Sequence, residues 1–210
     1  MPTKRTYGDR CGIARALDLV GERWALLVVR ELLLGPKRFT DLRAGLPHVS
    51  PDILAQRLRE LEESGIVRRG KLPPPAGSRI YELTARGQEL EPVVVALGRF
   101  GGVAPLPPGE AQIGADAVVI ALKSLFAPGA ADGLRATYQL RLGEHDFRVS
   151  VDGDRLEAER GTAAAPDATI ESDVPTLATV LWHGGAPGDL ETTGDARAVE
   201  RFLRLFRRPS

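Results

Sequence analysis

Residues Phe39 to Thr84 read FTDLRAGLPHVSPDILAQRLRELEESGIVRRGKLPPPAGSRIYELT, and this stretch decides the fold. Thr40 can cap a short helix through Ala44, with Leu42 inward, and Gly45-Leu46-Pro47 makes a tight turn. Ser50 is a side chain suited to the N-cap. Pro51 suits the first helical position, where its missing N–H costs nothing. Within Asp52–Ser64, Leu54, Leu58 and Leu61 share one face, and Asp52, Ala55, Gln56 and Arg59 share the other. Gly65 ends that helix. Ile66–Leu72 and Arg79–Leu83 then read as two strands around Pro73-Pro74-Pro75-Ala76-Gly77-Ser78, a loop too long for a two-residue turn. Helix, turn, amphipathic helix and hairpin in this order predict a winged helix-turn-helix, an architecture that places a helix in the major groove of double-stranded DNA.

Working outward, Ile13, Leu17 and Val20 lie on one face of a helix that Gly21 ends. Trp24 to Leu34 is apolar nearly all round, as a core helix is, and Gly35-Pro36 stops it. After the hairpin, Thr84 caps a long helix to about Phe100, with a stripe of Leu90, Val93, Val94 and Leu97 and a kink expected at Pro92. That stripe lies beyond the compact three-helix unit. A second subunit is the simplest cover for it.

Gly101–Gly114, GGVAPLPPGEAQIG, has no periodicity and reads as a linker. It separates residues 1–100, the winged helix-turn-helix, from residues 115–210. In the second part, Ala115–Phe126 is a helix. The period then changes to two: Tyr138, Leu140 and Leu142, then Phe147, Val149 and Val151, alternate with polar residues. Asp152-Gly153 is a hairpin turn before Arg155–Arg160. Ala168–Glu171 and Asp189–Thr193 are further strands. Asp173 caps a helix Val174–His183, and Asp195 caps Ala196–Arg207. The expectation is an α+β domain, an antiparallel sheet with helices on one face.

Composition bounds the function. The chain has 210 residues, 43% apolar and 27% charged, with zero net charge and one cysteine. No stretch spans a membrane and no apolar signal segment begins the chain, so a cytoplasmic protein is expected. A single cysteine excludes a disulfide framework within the chain. Residues 1–100 carry 17 Lys and Arg against 12 Asp and Glu, and the rest 11 against 16. A polyanion would meet the first half and be repelled by the second. His48, His145 and His183 have no metal-ligand spacing, and neither a phosphate-binding glycine loop nor a Gly-x-Ser-x-Gly elbow is present. No enzyme, metal or cofactor is expected.

The candidate base readers are Ser50, Asp52, Gln56 and Arg57, in the first two turns of the helix over residues 51–64. Gln can pair bidentately with adenine and Arg with guanine. Glu60, Glu62 and Glu63 would be repelled by phosphates, so only the start of the helix approaches DNA. Arg59, with Arg68, Arg69, Lys71 and Arg79 of the wing over 68–79, is assigned to phosphates or the minor groove. Arg38 and Thr40 can hold the backbone from the preceding helix. Cys11, flanked by Arg10 and Arg15, is a redox candidate because cations favour the thiolate. In the second domain Leu122, Phe126, Tyr138, Leu140, Phe147, Val149, Leu181, Trp182 and Phe206 form either a core or a site for an apolar ligand.

CGIARALDLVGERWALLVVRELLLGPKRFTDLRAGLPHVSPDILAQRLRELEESGIV, followed by RIYELTARGQEL, resembles the HxlR family of winged-helix bacterial transcription regulators. The resemblance implies a homodimer joined through the first and last helices of the N-terminal domain, reading a palindromic operator. It also implies, for some members, a thiol sensor at the position of Cys11. The stretches YQLRLGEHDFRVSVDGDRLEAERG, PDATIESDVPTLATVLWHG and TGDARAVERFLRLF are similar to sterol-carrier-protein-like domains. That similarity implies a five-stranded sheet and an apolar tunnel for a hydrophobic effector. The expected function is a dimeric DNA-binding regulator modulated by such a molecule. The alternatives are a hydrophobic-ligand carrier in which the winged helix only dimerises, and a Cys11 thiol-redox regulator.

Overall fold

A computed structural model describes residues 6–71, 77–102, 104, 113–182 and 185–206. Most of the expected linker, the wing loop 72–76, His183 and Arg207 fall outside the described residues. By contact the chain divides into two compact units, Met1–Val94 and Val95–Ser210.

The first unit runs α1 (Gly12–Val20), α2 (Ala25–Leu32), α3 (Phe39–Gly45), α4 (Pro51–Glu63), β1 (Val67–Lys71), β2 (Arg79–Leu83), α5 (Ala85–Gln88) and the start of α6 (Glu91–Gly102). Its core is aliphatic: Val28, Val29, Leu32, Leu42, Leu54, Leu58 and Leu61 are all at most 1% exposed. β1 and β2 pair antiparallel from Val67↔Leu83 out to Lys71↔Arg79. Lys37 adds a backbone bridge to the hairpin, exchanging two hydrogen bonds with Tyr81 at 3.0 and 2.8 Å. Gly65 takes the left-handed conformation, φ +70°, that turns the chain from α4 into β1.

Two expectations need correction here. The cap of α3 is Arg38, not Thr40: the Arg38 backbone N–H donates to the Asp41 carboxylate at 3.0 Å, so the helix starts two residues earlier. The single kinked helix after the wing is two helices. The Thr84 hydroxyl accepts from the Gly87 N–H and caps only the four-residue α5. Pro92 then sits in the first turn of α6, where its ring has no preceding turn to clash with.

The second unit holds α7 (Ala115–Leu125), β3 (Arg135–Leu142), β4 (His145–Asp152), β5 (Arg155–Arg160), β6 (Ala168–Ser172), α8 (Val174–Trp182), β7 (Glu191–Gly194) and α9 (Ala196–Leu205). The strand order is β5-β4-β3-β6-β7. β3 pairs with β6 in parallel, Tyr138↔Ala168 through Leu142↔Ser172, and all other pairs are antiparallel. The sheet is therefore mixed rather than antiparallel. After the β4–β5 hairpin the chain does not fold back on β5. Residues 161–167 cross the sheet, and β6 enters beside β3 in the same direction. Gln139, only 3% exposed, pins this crossing: its side chain accepts from the Ala163 N–H at 2.7 Å and donates to Asp146 at 3.1 Å.

One sheet face is apolar. Tyr138, Leu140, Phe147, Val149 and Ile170 are fully buried on it. α9 meets that face through Phe202, whose ring lies 4.9 Å from Tyr138 and 4.8 Å from Phe206. α7 meets it through Asp116, which is buried and paired with Arg160 of β5. The other face is charged, with Arg135–Asp152 at 2.8 Å and Arg141–Glu171 at 3.5 Å among its ion pairs. Burial pushes the Tyr138 phenol up to about 12, and Asp167 adds to the effect. Asp173, capping α8, is held below the usual carboxylate range by the Thr176 backbone N–H. Among the described residues, no helix is long and apolar enough to cross a membrane.

Candidate nucleic-acid interface

The geometry of α4 follows from its two faces. Leu54, Leu58 and Leu61 anchor it in the core, leaving Asp52, Ile53, Gln56, Arg59 and Glu63 exposed. The Ser50 hydroxyl accepts from the Ile53 N–H at 3.4 Å and holds the first turn, a cap worth about 1 kcal/mol. Leu46 and Val49 are buried in the turn before it, and the Val49 N–H donates to the Leu46 carbonyl at 3.1 Å. The turn is thus fixed from inside, and α4 presents its N-terminal half outward.

Of the four expected base readers, Ser50, Asp52 and Gln56 are exposed. Gln56 donates its side-chain amide to Glu60 at 3.0 Å. Arg57 is not on this surface. Its side chain is 9% exposed, paired with Glu60 of its own helix and lying 3.7 Å from Glu22 in the corner between α1 and α2. On a 3.6-residue helix position 57 falls beside position 54 and position 58 of the buried stripe, and Glu60 is its close ion partner there. Arg57 therefore braces α4 against the α1–α2 corner instead of reaching a base.

The wing cations fall into two groups. Arg68 pairs with Glu82 across the hairpin at 3.0 Å. Arg69 pairs with Glu62 at 3.0 Å and lies 5.9 Å from the centre of the Tyr81 ring. The second contact ties the wing to the end of α4. Lys71 and Arg79 are register partners at the outer end of the hairpin, and both are exposed. Arg38 and Thr40 are exposed at the start of α3, and Arg59 is exposed on α4.

Sequence reasoning missed two features here. Ile53 is an apolar side chain 43% exposed on the outward face of α4. Its offset of one position from Leu54 is the signal that could have found it. The second is the buried Glu31, which meets Lys37 at 2.6 Å and Arg30 at 2.8 Å. The adjacent charges Arg30 and Glu31 near the end of a largely apolar helix mark that site in the sequence.

Elsewhere, Cys11 is exposed at the N-cap of α1, where its N–H donates to Asp9 at 2.9 Å. In the second unit, Leu122, Phe126, Tyr138, Leu140, Phe147, Val149, Leu181 and Phe206 gather in the buried layer between sheet and helices, and Trp182 is half-buried. The Tyr138 hydroxyl and the Trp182 indole N–H have no hydrogen-bond partner among the described residues. A cleft of about 480 Å³ opens along α9, lined by Ala131, Leu134, Arg201, Arg204 and Leu205 among others; none of the nine expected ligand residues lines it. Among the described residues, no group of three His, Cys, Asp or Glu side chains is placed to hold a metal ion.

The HxlR-like helix-turn-helix family matches residues 19–104 of this chain. The HTH-type transcriptional regulator sll1512 of Synechocystis is 40% identical over 94 residues, 45% of this chain and 70% of that protein. The HTH-type transcriptional regulator YodB of Bacillus subtilis is 42% identical over 78 residues, 37% of this chain and 70% of that protein. The redox regulator HypR, solved in its oxidised form, is 32% identical with a TM-score of 0.42, covering 46% of this chain and all of HypR.

The placement of Arg57 makes a distinguishing expectation. Arg57→Ala should lower the thermal midpoint by the equivalent of about 1–3 kcal/mol, the cost of a lost charge-assisted hydrogen bond. Duplexes selected by the variant from a random library should keep the wild-type base preference. A changed preference without a fall in the midpoint would return Arg57 to the reading surface.

Proposed function

The chain belongs to the HxlR-like helix-turn-helix family of DNA-binding transcriptional regulators, and from that footing we propose that it acts as a homodimer on a palindromic operator. The outward face of α4 carries the reading. Asp52 and Gln56 face base edges, while Lys71 and Arg79 of the wing, Arg59 of α4, and Arg38 and Thr40 of α3 hold phosphates. Arg68 and Arg69 reach DNA only by exchanging their carboxylate partners for phosphate. The carrying observation is that α4 buries one face completely and leaves its capped N-terminal half uncovered.

Exposed apolar side chains support the dimer. α1 leaves Ile13 73% and Leu17 41% exposed, and α6 leaves Val93, Leu97 and Phe100 at 45%, 48% and 81%. Water-facing side chains of this size on the first and last helices are covered at low cost by a second copy. Two copies of α4 then read two half-sites about one helical turn apart, which a single winged helix cannot do.

We further propose that the second unit is a sterol-carrier-protein-like domain that receives a hydrophobic effector. The mixed sheet, its apolar helix-covered face and the clustering of aromatic residues on that face support this assignment. A second reading, a thiol switch at Cys11, is favoured by the exposure of that thiol beside α1.

Three measurements test the set. Titration of a library-selected duplex over a range of salt should give a steep log–log decline, and Lys71→Ala should flatten the slope by about one unit per subunit. An affinity indifferent to salt contradicts the reading. Ile13→Asp should convert dimer to monomer in sedimentation and weaken operator binding by about tenfold or more, since a charge cannot be buried unpaired at the contact. A dimeric variant removes α1 from the interface. For the effector, a long-chain fatty acid should change operator affinity equally in wild type and Cys11→Ser, whereas a thiol oxidant should act on wild type alone. The arm that leaves operator affinity unmoved rejects its switch.

A further inference from the structure

Ile53 occupies the third position of α4, after Pro51 and Asp52. Nothing in the helix itself calls for isoleucine there. The third position favours Glu or Gln, which complete a capping box with a serine cap, and the first turn favours acidic residues. A β-branched residue is also a weaker helix former than either. Ile53 gives up those gains and is still 43% exposed, whereas Leu54, its neighbour, is fully buried. Its backbone is held by the Ser50 cap, so the side chain is presented from a fixed turn. Three residues on, one turn away on the same outward face, stands Gln56.

We propose that Ile53 is a base-reading residue, its side chain packing on the 5-methyl group of a thymine in the major groove, next to the adenine addressed by Gln56. Thymine is the one base that offers an apolar group at the groove edge. The withdrawal of Arg57 strengthens the assignment. With that guanidinium bound to Glu60, the first two turns present a carboxylate, an aliphatic chain and an amide, and no donor fork for guanine. The two neighbouring pairs addressed by Ile53 and Gln56 are therefore A·T. The inference rests on the DNA-binding reading above, and it adds the chemistry of the bases that α4 selects.

The test uses the full chain and a duplex selected by it from a random-sequence library, resynthesised with deoxyuridine in place of each thymine in turn. One thymine per half-site should lose about fourfold in affinity on losing its methyl group, the equivalent of one methyl buried. Ile53→Ala should lose a similar factor on the thymine duplex and nothing further on the deoxyuridine duplex. Ile53→Val, which keeps part of the side chain, should fall between. Equal binding of every deoxyuridine duplex by wild type overturns the proposal, as does undiminished methyl discrimination by Ile53→Ala. Failure to enrich any duplex at all overturns the DNA-binding reading itself, a different result from enriched duplexes that ignore the methyl group.

Discussion

The carboxylate of Glu31 is the contact on which the N-terminal unit depends. It is 1% exposed in the last turn of α2, and its two oxygens are taken by Lys37 at 2.6 Å and Arg30 at 2.8 Å. A buried carboxylate costs several kcal/mol in lost hydration, so it is tolerated only when these partners are in place. Lys37 is also the residue whose backbone bridges Tyr81 of β2. One ion pair therefore links the core helix to the base of the wing. The end of α3 closes over the same group: a Cβ at Gly45 would lie 2.2 Å from the Glu31 oxygen. A side chain there would have to displace the carboxylate oxygen that meets Lys37. Hydrophobic packing would tolerate small shifts of α2, α3 and wing; this contact selects one arrangement.

On that frame α4 separates two tasks that a helix-turn-helix must reconcile. Glu60 takes the positively charged Arg57 and the amide of Gln56 at once. It thereby braces the helix from the inside while steadying an outward side chain. Arg69, bound to Glu62, attaches the wing to the same helical turn region. The carboxylates in the second half of α4 look unsuited to a polyanion when read alone. In the structure Glu60 and Glu62 are occupied by Arg57 and Arg69, which reduces their repulsion of phosphate.

Much of this was legible in the sequence, and the failures have physical reasons. Ser50-Pro51, the Leu54–Leu58–Leu61 stripe and Gly65 act through local geometry, so α4 was readable to within a residue or two. Arg57 lies on the margin of that stripe, and its inward turn places it against Glu60 of its own helix and toward Glu22, which is distant in sequence. Ile53 was passed over because apolar residues in an amphipathic helix are counted toward the core. In the second unit, alternation located the strands, but a period of two carries no information about a partner's direction. The parallel pairing of β3 with β6 depends instead on the route of residues 161–167 and on Gln139, a polar residue in a strand that local pattern treats as surface. Pro92 was read as a kink in one helix because no glycine or proline follows Gln88 to mark the end of α5 before Glu91.

That crossing has a consequence for the order in which the protein is made. The winged-helix unit is closed by neighbours: the strands of its hairpin are joined by seven residues, and its helices follow one another. β3 pairs at once with β4, but its other edge waits for a partner thirty residues downstream, since Tyr138 pairs with Ala168, and β7 must follow before the edge of β6 is covered. Loop closure over such separations is slow. During synthesis, which proceeds from the N-terminus, the winged-helix unit is complete while the sheet still has an open flank. Until β6 arrives, the free flank of β3 is thus the edge through which this chain is exposed to strand-mediated aggregation.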